Sequence, residues 1–552
     1  MISLRYVQRL LEGEGLTWTS GEWVEGYSNL GWVLMTAGLG LFGIDLVVAT
    51  RLLGLAALCG VIALVSLGPD GRPDAKRALS GGVFAAGICG LGIWAMAGLA
   101  QTFVAMMAVA GVLAARLARD TGDRRAVAGL IAVLAVMTVT RIDGFVLAGC
   151  VLVGAVAGGL PWRTAGWAAL GPAVVWGAQQ AFRLAYYGDW VSNTARVKVS
   201  FTLGRAVNGA TWVGKGLWDH APLGVAALVA LLVLRRRVLD ALVAALVWCA
   251  FCAYVGGDIF AGYRLMLPAL PLLALMVADL GSHLSARLVP VLTALGLGLY
   301  VWNVDIDFST RVPTEDDHWV LRTVGPAEAL RGAFAKHDPL LAVDAAGALP
   351  YYTRFRSVDM LGLTDRFLAT HPPPGWGSGG LGHDLGNGTY IWNRKPDILA
   401  FRAGTGGPPM FISGKQMEAR RDWGMVYRPV FVVGPDPQDR PTIGFYYLRA
   451  VDSKLGMTRT DDRIDAPGYF FTTGRSPAVL RGDVLGPLLD LAHTHPITLG
   501  VPKGRWRVTV DADGPVAVQP AEVEHGGGPL TVQLVPTRPG VQLRSVRYDR
   551  VR

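Results

Sequence analysis

From Leu46 onward the chain alternates long apolar runs with short polar connections. The runs fall at 46–68, 79–95, 98–115, 126–140, 144–160, 165–182, 221–234, 238–255, 263–280 and 286–303. A membrane-crossing helix needs roughly 20 apolar residues, so the pattern predicts about ten spans, the shorter ones leaning on neighbours or tilt. Upstream, Ile2, Tyr6, Leu10 and Val7, Leu11 recur at helical spacing among Arg5, Arg9 and Glu12, which predicts an interfacial amphipathic helix. Residues 13–29 are polar, with Trp18, Trp23 and Tyr27 as interface anchors. The apolar stretch 30–44 is short for a span and is expected to lie on the membrane surface.

After Asp305 the pattern turns soluble. Leu340 to Asp344, Pro350-Tyr351-Tyr352 and Ser357 to Met360 predict strands joined by helices, an α/β domain to about residue 450. Beyond it, Trp506, Val508 and Val510 alternate, Asp513-Gly514 predicts a hairpin turn, and Leu530, Val532 and Leu534 alternate again, as in a small β-sandwich. Four regions result: 1–45 juxtamembrane, 46–304 transmembrane, 305–450 α/β and 451–552 β-rich, the last of carbohydrate-binding character.

Composition agrees with this. Of 552 residues 52% are hydrophobic and 17% charged, with a mean hydropathy of +0.38, too apolar for an ordinary soluble protein. The net charge of +9 is scattered over loops and tail, which excludes a nucleic-acid-binding stripe. Arg72, Lys76 and Arg77, then Arg116, Arg119, Arg124 and Arg125, then Arg163, Arg235 to Arg237, and Arg287 fall on alternate connections. By the positive-inside rule those connections are cytoplasmic, and the protein belongs in the plasma membrane with its N-terminal segment and C-terminal region outside. All five cysteines lie in apolar segments; Cys249 and Cys252 have CxxC spacing but no second ligand pair. His493 and His495 likewise lack a third ligand.

Ionisable groups at a membrane face are costly and point to function. They recur at the outer connections: Glu22 and Glu25; Arg141 and Asp143; Arg183, Tyr187, Asp189, Asn193, Arg196 and Lys198; Asp258 and Arg264. Arginine forks suit a phosphate, and a carboxylate such as Asp258 or Glu25 could accept the proton of an attacking hydroxyl. Equally, Arg141 with Asp143 and Asp258 with Arg264 could be mutual ion pairs bracing helix ends. His383 follows the Pro/Gly-rich loop that begins at His371, a position for a cleft residue or for a solvated one. Asn387-Gly388-Thr389 matches a short glycosylation pattern.

Six stretches taken together carry a resemblance: Ile2-Ser3-Leu4-Arg5-Tyr6, Glu25-Gly26-Tyr27-Ser28-Asn29, Arg141-Ile142-Asp143-Gly144, Tyr186-Tyr187-Gly188-Asp189 with Asn193-Thr194 and Lys198, Gly256-Gly257-Asp258 with Gly262-Tyr263-Arg264, and Gly382-His383. The chain to about Asp397 resembles the GT-C glycosyltransferases related to mycobacterial terminal arabinofuranosyltransferase. That resemblance implies a polytopic membrane enzyme with an extracytoplasmic C-terminal region. It would pass a sugar, arabinofuranose among the candidates, from a polyprenyl-phosphate donor to a cell-envelope glycan on the outer face. It also implies that Arg141, Arg183, Lys198 and Arg264 hold the donor phosphate, and that Tyr187, Asp189, Asn193, Asp258 and His383 line sugar or acceptor sites. The donor is the only cofactor-like partner this calls for, while a divalent metal and the oligomeric state stay open. The family's paired aspartates are expected just before the segment matching Ile2, so an upstream helix carrying them is expected to precede Met1. The family's serine-glycine-leucine-glutamate is replaced by Ala97-Gly98-Leu99-Ala100. A transporter and a non-catalytic glycan-binding membrane protein are the competing classes.

Overall fold

The structure, a computed structural model, describes all residues except 69–70, 199–201, 307–317, 377–382, 473–477, 482–488 and 552. It divides the chain into two compact units, one of residues 6–17 and 27–316, the other of residues 1–5, 18–26 and 317–552.

The first unit is a helical bundle. Its helices follow the apolar runs: Leu46–Ser66, a pair Ala75–Gly87 and Cys89–Met96 bent by 60°, then Gln101–Thr121, Arg124–Thr140, Gly144–Ala157, Trp162–Tyr187, Ala221–Leu234, Leu239–Tyr254, Leu270–His283 and Val289–Ile306. Three stretches, Leu46–Ser66, Gln101–Thr121 and Ala221–Tyr254, are each long and apolar enough to cross a membrane, and the bent pair adds a fourth. Leu46–Ser66, at 21 residues, spans about 30 Å, the thickness of a bilayer core. Asp45 starts it by accepting from the N–H groups of Val47 and Val48, and Gly122, at φ +63°, ends Gln101–Thr121. Val225, Leu228, Val229 and Leu232 all stand exposed on one helix. Water would penalise such a face, whereas lipid matches it. The chain is a polytopic helical membrane protein with a β-rich C-terminal region.

The stretch 30–44 contributes only the 11-residue helix Leu30–Gly40, too short to span. A further helix, Leu203–Asp219, is amphipathic and capped by Thr202; the apolar-run pattern gave no sign of it.

In the second unit β1 (Leu340–Val343), β2 (Arg356–Asp359), β3 (Ile398–Ala400), β4 (Tyr427–Pro435) and β5 (Pro441–Arg449) form one sheet with β8 below. The remaining strands are β6 (Thr458–Arg459), β7 (Arg463–Pro467), β8 (Ala478–Arg481), β9 (Leu489–Leu491), β10 (His495–Val501), β11 (Gly504–Ala512), β12 (Val516–Gln519), β13 (Glu522–His525), β14 (Gly528–Pro536) and β15 (Val541–Val551). The first sheet has the order β2-β1-β3-β5-β4-β8, with β1 parallel to β2 and β3. Two further sheets, β10-β14-β12 and β13-β11-β15-β7-β6, pack over a core of Trp506, Val508, Leu530, Val532, Leu534 and Tyr548. The predicted alternation holds for β11 and β14, but Asp513-Gly514 is not a hairpin. It carries the chain from β11 in one sheet to β12 in the other.

Residues 1–5 and 18–26 fold with this unit. Arg5 is buried and donates to the carbonyls of Trp18 (3.3 Å) and Phe355 (3.1 Å), and the hydroxyl of Thr19 accepts from the Ser357 N–H (2.9 Å).

Candidate functional site

The connections that charge alone assigned to one membrane face meet at one end of the bundle. Lys76 donates to the Leu284 carbonyl (2.9 Å), Arg119 to the Gly158 carbonyl (2.9 Å), and Arg237 lies 2.6 Å from His283. Arg77 pairs with Asp279 (2.6 Å), and Arg116 pairs with both Asp240 and Asp279. The other set of connections meets likewise. Trp94 donates to the Ala261 carbonyl (3.1 Å), Trp32 to that of Gly98 (3.1 Å), and the Ile142 N–H to that of Ser28 (2.9 Å). The candidate site is built at this second end.

Arg141 follows the helix Arg124–Thr140 in extended conformation, and the backbone carbonyl of Asp143 opens Gly144–Ala157. Gly144 is where these helices touch: a Cβ there would lie 2.0 Å from the Met137 carbonyl oxygen. The turn turns Arg141 back on Asp143, whose carboxylate accepts both guanidinium donors at 2.8 and 2.9 Å. Between Leu239–Tyr254 and Leu270–His283, Gly256 and Gly257 adopt φ of +93° and +77°, conformations that favour glycine. This loop brings Asp258 to Arg264, which donates to it at 2.6 and 3.0 Å. The same guanidinium lies over Phe260 (4.1 Å) and Trp94 (5.3 Å).

The two pairs feel one another's charge. Arg141, Asp143 and Arg264 line a cavity of about 10 Å³ with Gln101, Val104, Trp248, Leu265 and Pro268, room for roughly one water molecule. Gln101, the first residue of Gln101–Thr121, is 5% exposed, and its Oε1 has no hydrogen-bond partner among the described residues. Gln101 is absent from the expectations above. Its only sequence signal is a polar residue opening an apolar run, which looks like any helix start.

The stretch 183–198 forms a second cluster. Arg183 is buried and donates to Gln180. The Tyr187 hydroxyl donates to the Leu16 carbonyl (2.8 Å) and lies 3.2 Å from the Tyr27 hydroxyl, so it anchors the N-terminal loop of this unit. Asp189 pairs with Arg196 at 2.6 and 2.8 Å, Asn193 is buried, and the side chain of Lys198 lies outside the described residues.

Glu25 and His383 belong to the second unit. Glu25 is buried, while His383 is exposed and stacks on Phe411 at 5.2 Å between centroids. Residues 377–382 of the loop before His383, Gly382 among them, lie outside the described residues. Among the described residues no cluster of three or more histidine, cysteine or acidic groups is placed to hold a metal.

Fold and site together define a polytopic helical membrane protein with paired guanidinium–carboxylate groups buried at one end of its bundle. Residues 319–446 match a domain family of unknown function, DUF8728. No curated protein matches the chain. Among solved structures the chain is similar to ArnT from Cupriavidus metallidurans in the apo state, at 14% identity over 65% of this chain and 81% of that one, with a TM-score of 0.48. It is similar to the same protein bound to undecaprenyl phosphate at 15% identity, over 65% and 80%, with a TM-score of 0.43. Arabinofuranosyltransferase AftD from Mycobacteria is similar at 14% identity, over 100% of this chain and 57% of that one, with a TM-score of 0.39.

Proposed function

We propose that this protein is an integral-membrane glycosyltransferase of the GT-C type that takes its sugar from a polyprenyl-phosphate donor and passes it to a cell-envelope glycan. The observation that carries this reading is the gathering of Arg141 and Arg264, with their partners Asp143 and Asp258, at a single end of an apolar bundle, where Arg141, Asp143 and Arg264 line one small cavity. Buried charge in a membrane protein is expensive and is kept where a charged substrate must be met. A guanidinium fork matches a phosphate as it matches a carboxylate. These two pairs lie at an end of the bundle, where a lipid headgroup arrives, which favours a transferase over a midplane transport site.

In the reaction an acceptor hydroxyl oxygen forms the new bond to the anomeric carbon. The bond from that carbon to the phosphate oxygen breaks, polyprenyl phosphate leaves with the electron pair, and a carboxylate takes the hydroxyl proton. Asp258 is the candidate for that proton in the bundle and Glu25 the candidate in the second unit. Arabinofuranose is the sugar we would test first, on the resemblance of the outer stretches to arabinofuranosyltransferases. The test is transfer of radiolabel from polyprenyl-phosphate sugars to a cell-envelope glycan by the purified protein in lipid nanodiscs. Transfer that disappears in Arg264→Ala supports the reading, and no transfer from any of a panel of pentosyl and hexosyl donors overturns it.

A further inference from the structure

The two pairs as they stand leave an anion nowhere to bind. Two guanidiniums and two carboxylates sum to zero charge, and the cavity that Arg141, Asp143 and Arg264 line, about 10 Å³, is far smaller than a phosphate. Something must move for a phosphate to enter, and the contacts say which groups can. Arg264 packs against the rings of Phe260 and Trp94, at 4.1 and 5.3 Å. Asp258, in contrast, sits in the glycine-rich turn, where among the described residues it accepts, beyond Arg264, only its neighbour's N–H, from Ile259 at 2.9 Å. Asp143 and Arg141 share one connection of three residues. Asp258 is therefore the freer partner of its pair and Arg264 the held one, and we extend the same roles to Asp143 and Arg141, which face the same cavity.

Gln101 adds an independent observation. Its side chain is nine-tenths buried, faces the same cavity, and leaves Oε1 without a partner among the described residues. A buried polar group left unsatisfied is costly, and a primary amide can turn to present either its N–H groups or its oxygen. It also opens a helix of 21 residues, whose N-terminal end favours negative charge.

We propose that Asp143 and Asp258 occupy the places of a phosphate, and that the donor binds by ion-pair exchange: its phosphate takes over the forks of Arg141 and Arg264, the carboxylates swing out, and Gln101 donates an amide N–H to the incoming anion. The exchange rests on the donor-site reading above and specifies how that site opens. Until the phosphate arrives, the Asp258 carboxylate is masked by Arg264; afterwards it is released.

The experiment measures the affinity of the full chain in nanodiscs for undecaprenyl phosphate, with undecaprenol as the probe that keeps the tail and lacks the anion. Asp143→Asn and Asp258→Asn each remove a competing charge and are expected to tighten undecaprenyl phosphate binding roughly tenfold or more, with undecaprenol unaffected. Gln101→Met is expected to weaken it several-fold. A folded Asn variant that binds undecaprenyl phosphate equally or more weakly, or that gains as much for undecaprenol, overturns the exchange. If neither Asn variant folds, infrared difference spectra of the wild-type protein decide. Adding undecaprenyl phosphate should shift the carboxylate bands of aspartates leaving guanidinium partners, and unchanged bands with the lipid bound overturn the proposal. Absence of any binding by wild type and both variants overturns the donor-site reading itself, a result distinct from binding without exchange.

Discussion

Arg116 grips Asp240 with both arms of its guanidinium, at 2.6 and 2.8 Å, across 124 residues of chain. The same side chain reaches Asp279 at 2.9 Å, and Asp279 in turn holds Arg77 at 2.6 Å. Four helical segments are thereby tied at one end of the bundle by alternating charges. Removing one partner from a buried pair leaves the other uncompensated, at a cost of about 3–5 kcal/mol. Asp240→Ala should accordingly lower the thermal unfolding midpoint of the detergent-solubilised protein, and Asp240→Leu combined with Arg116→Leu should recover part of the loss. Equal midpoints for Asp240→Ala and wild type would contradict the role.

The two sets of connections, each gathered at its own end, make membrane topology a direct test. Reporter fusions after Arg77, Arg119, Arg163, Arg237 and Arg287 should report cytoplasm, where positively charged loops are retained. Fusions after Asp143, Asp189 and Asp258 should report the opposite side. A mixture of sides within either set is incompatible with the contacts Lys76–Leu284 and Trp94–Ala261.

Arg183 and Arg264 distinguish a fork from a charge. Arg264→Lys keeps the cation but cannot hold two oxygens in one plane, so it should weaken polyprenyl-phosphate affinity by about tenfold with little change in expression. Arg183→Lys should do the same if Arg183 meets the donor, and should leave affinity untouched if its bond to Gln180 only secures the end of the helix Trp162–Tyr187. Isothermal titration with undecaprenyl phosphate reads the difference.

The sheet of the second unit carries a pH dependence. Burial pushes the Asp344 carboxyl up to about 7, opposed by the Arg402 N–H that it accepts and reinforced by the charge of Asp359. Burial also pushes Asp359 up to about 6, against the N–H groups of Leu361 and Thr364. Both carboxyls hold their protons in the folded state at pH values where the unfolded chain, near 3.8, has lost them. Stability therefore falls as pH rises from about 4 toward 7 and levels off above that. For a group buried as fully as Asp344 the change is of the order of a few kcal/mol. Amide exchange in β1 to β3 should quicken between pH 5 and 7.5 relative to the intrinsic rate, and Asp344→Asn should flatten that slope.

Much of the architecture was legible residue by residue. Most of the ten apolar runs from Leu46 to Asn303 became helices near their expected bounds, although 79–95 is broken into a bent pair and the α-helix in 263–280 starts only at Leu270. The alternation of Trp506 with Val508 and of Leu530 with Val532 became buried strand faces. These are window properties: lipid or a core selects apolar side chains at a fixed period whatever the partner is. Arg141 with Asp143 and Asp258 with Arg264 were also within reach, because two and six residues of chain bring them together at a turn. What only the tertiary structure decided are the meetings with no local rule. Arg77 reaches Asp279 across 202 residues and Arg5 reaches the Phe355 carbonyl across 350, which draws the first residues of the chain into the sheet unit. Asp513-Gly514 has the composition of a hairpin turn, yet β12 finds its partner in β14 because the sandwich core is closed by the second sheet. Gln101 is a helix start like any other in sequence, and only the folded bundle sets it, buried and with Oε1 unpartnered among the described residues, beside Arg141, Asp143 and Arg264. Periodicity records how each segment meets its solvent. Which segments meet each other depends on packing summed over the whole chain, and no single stretch contains that.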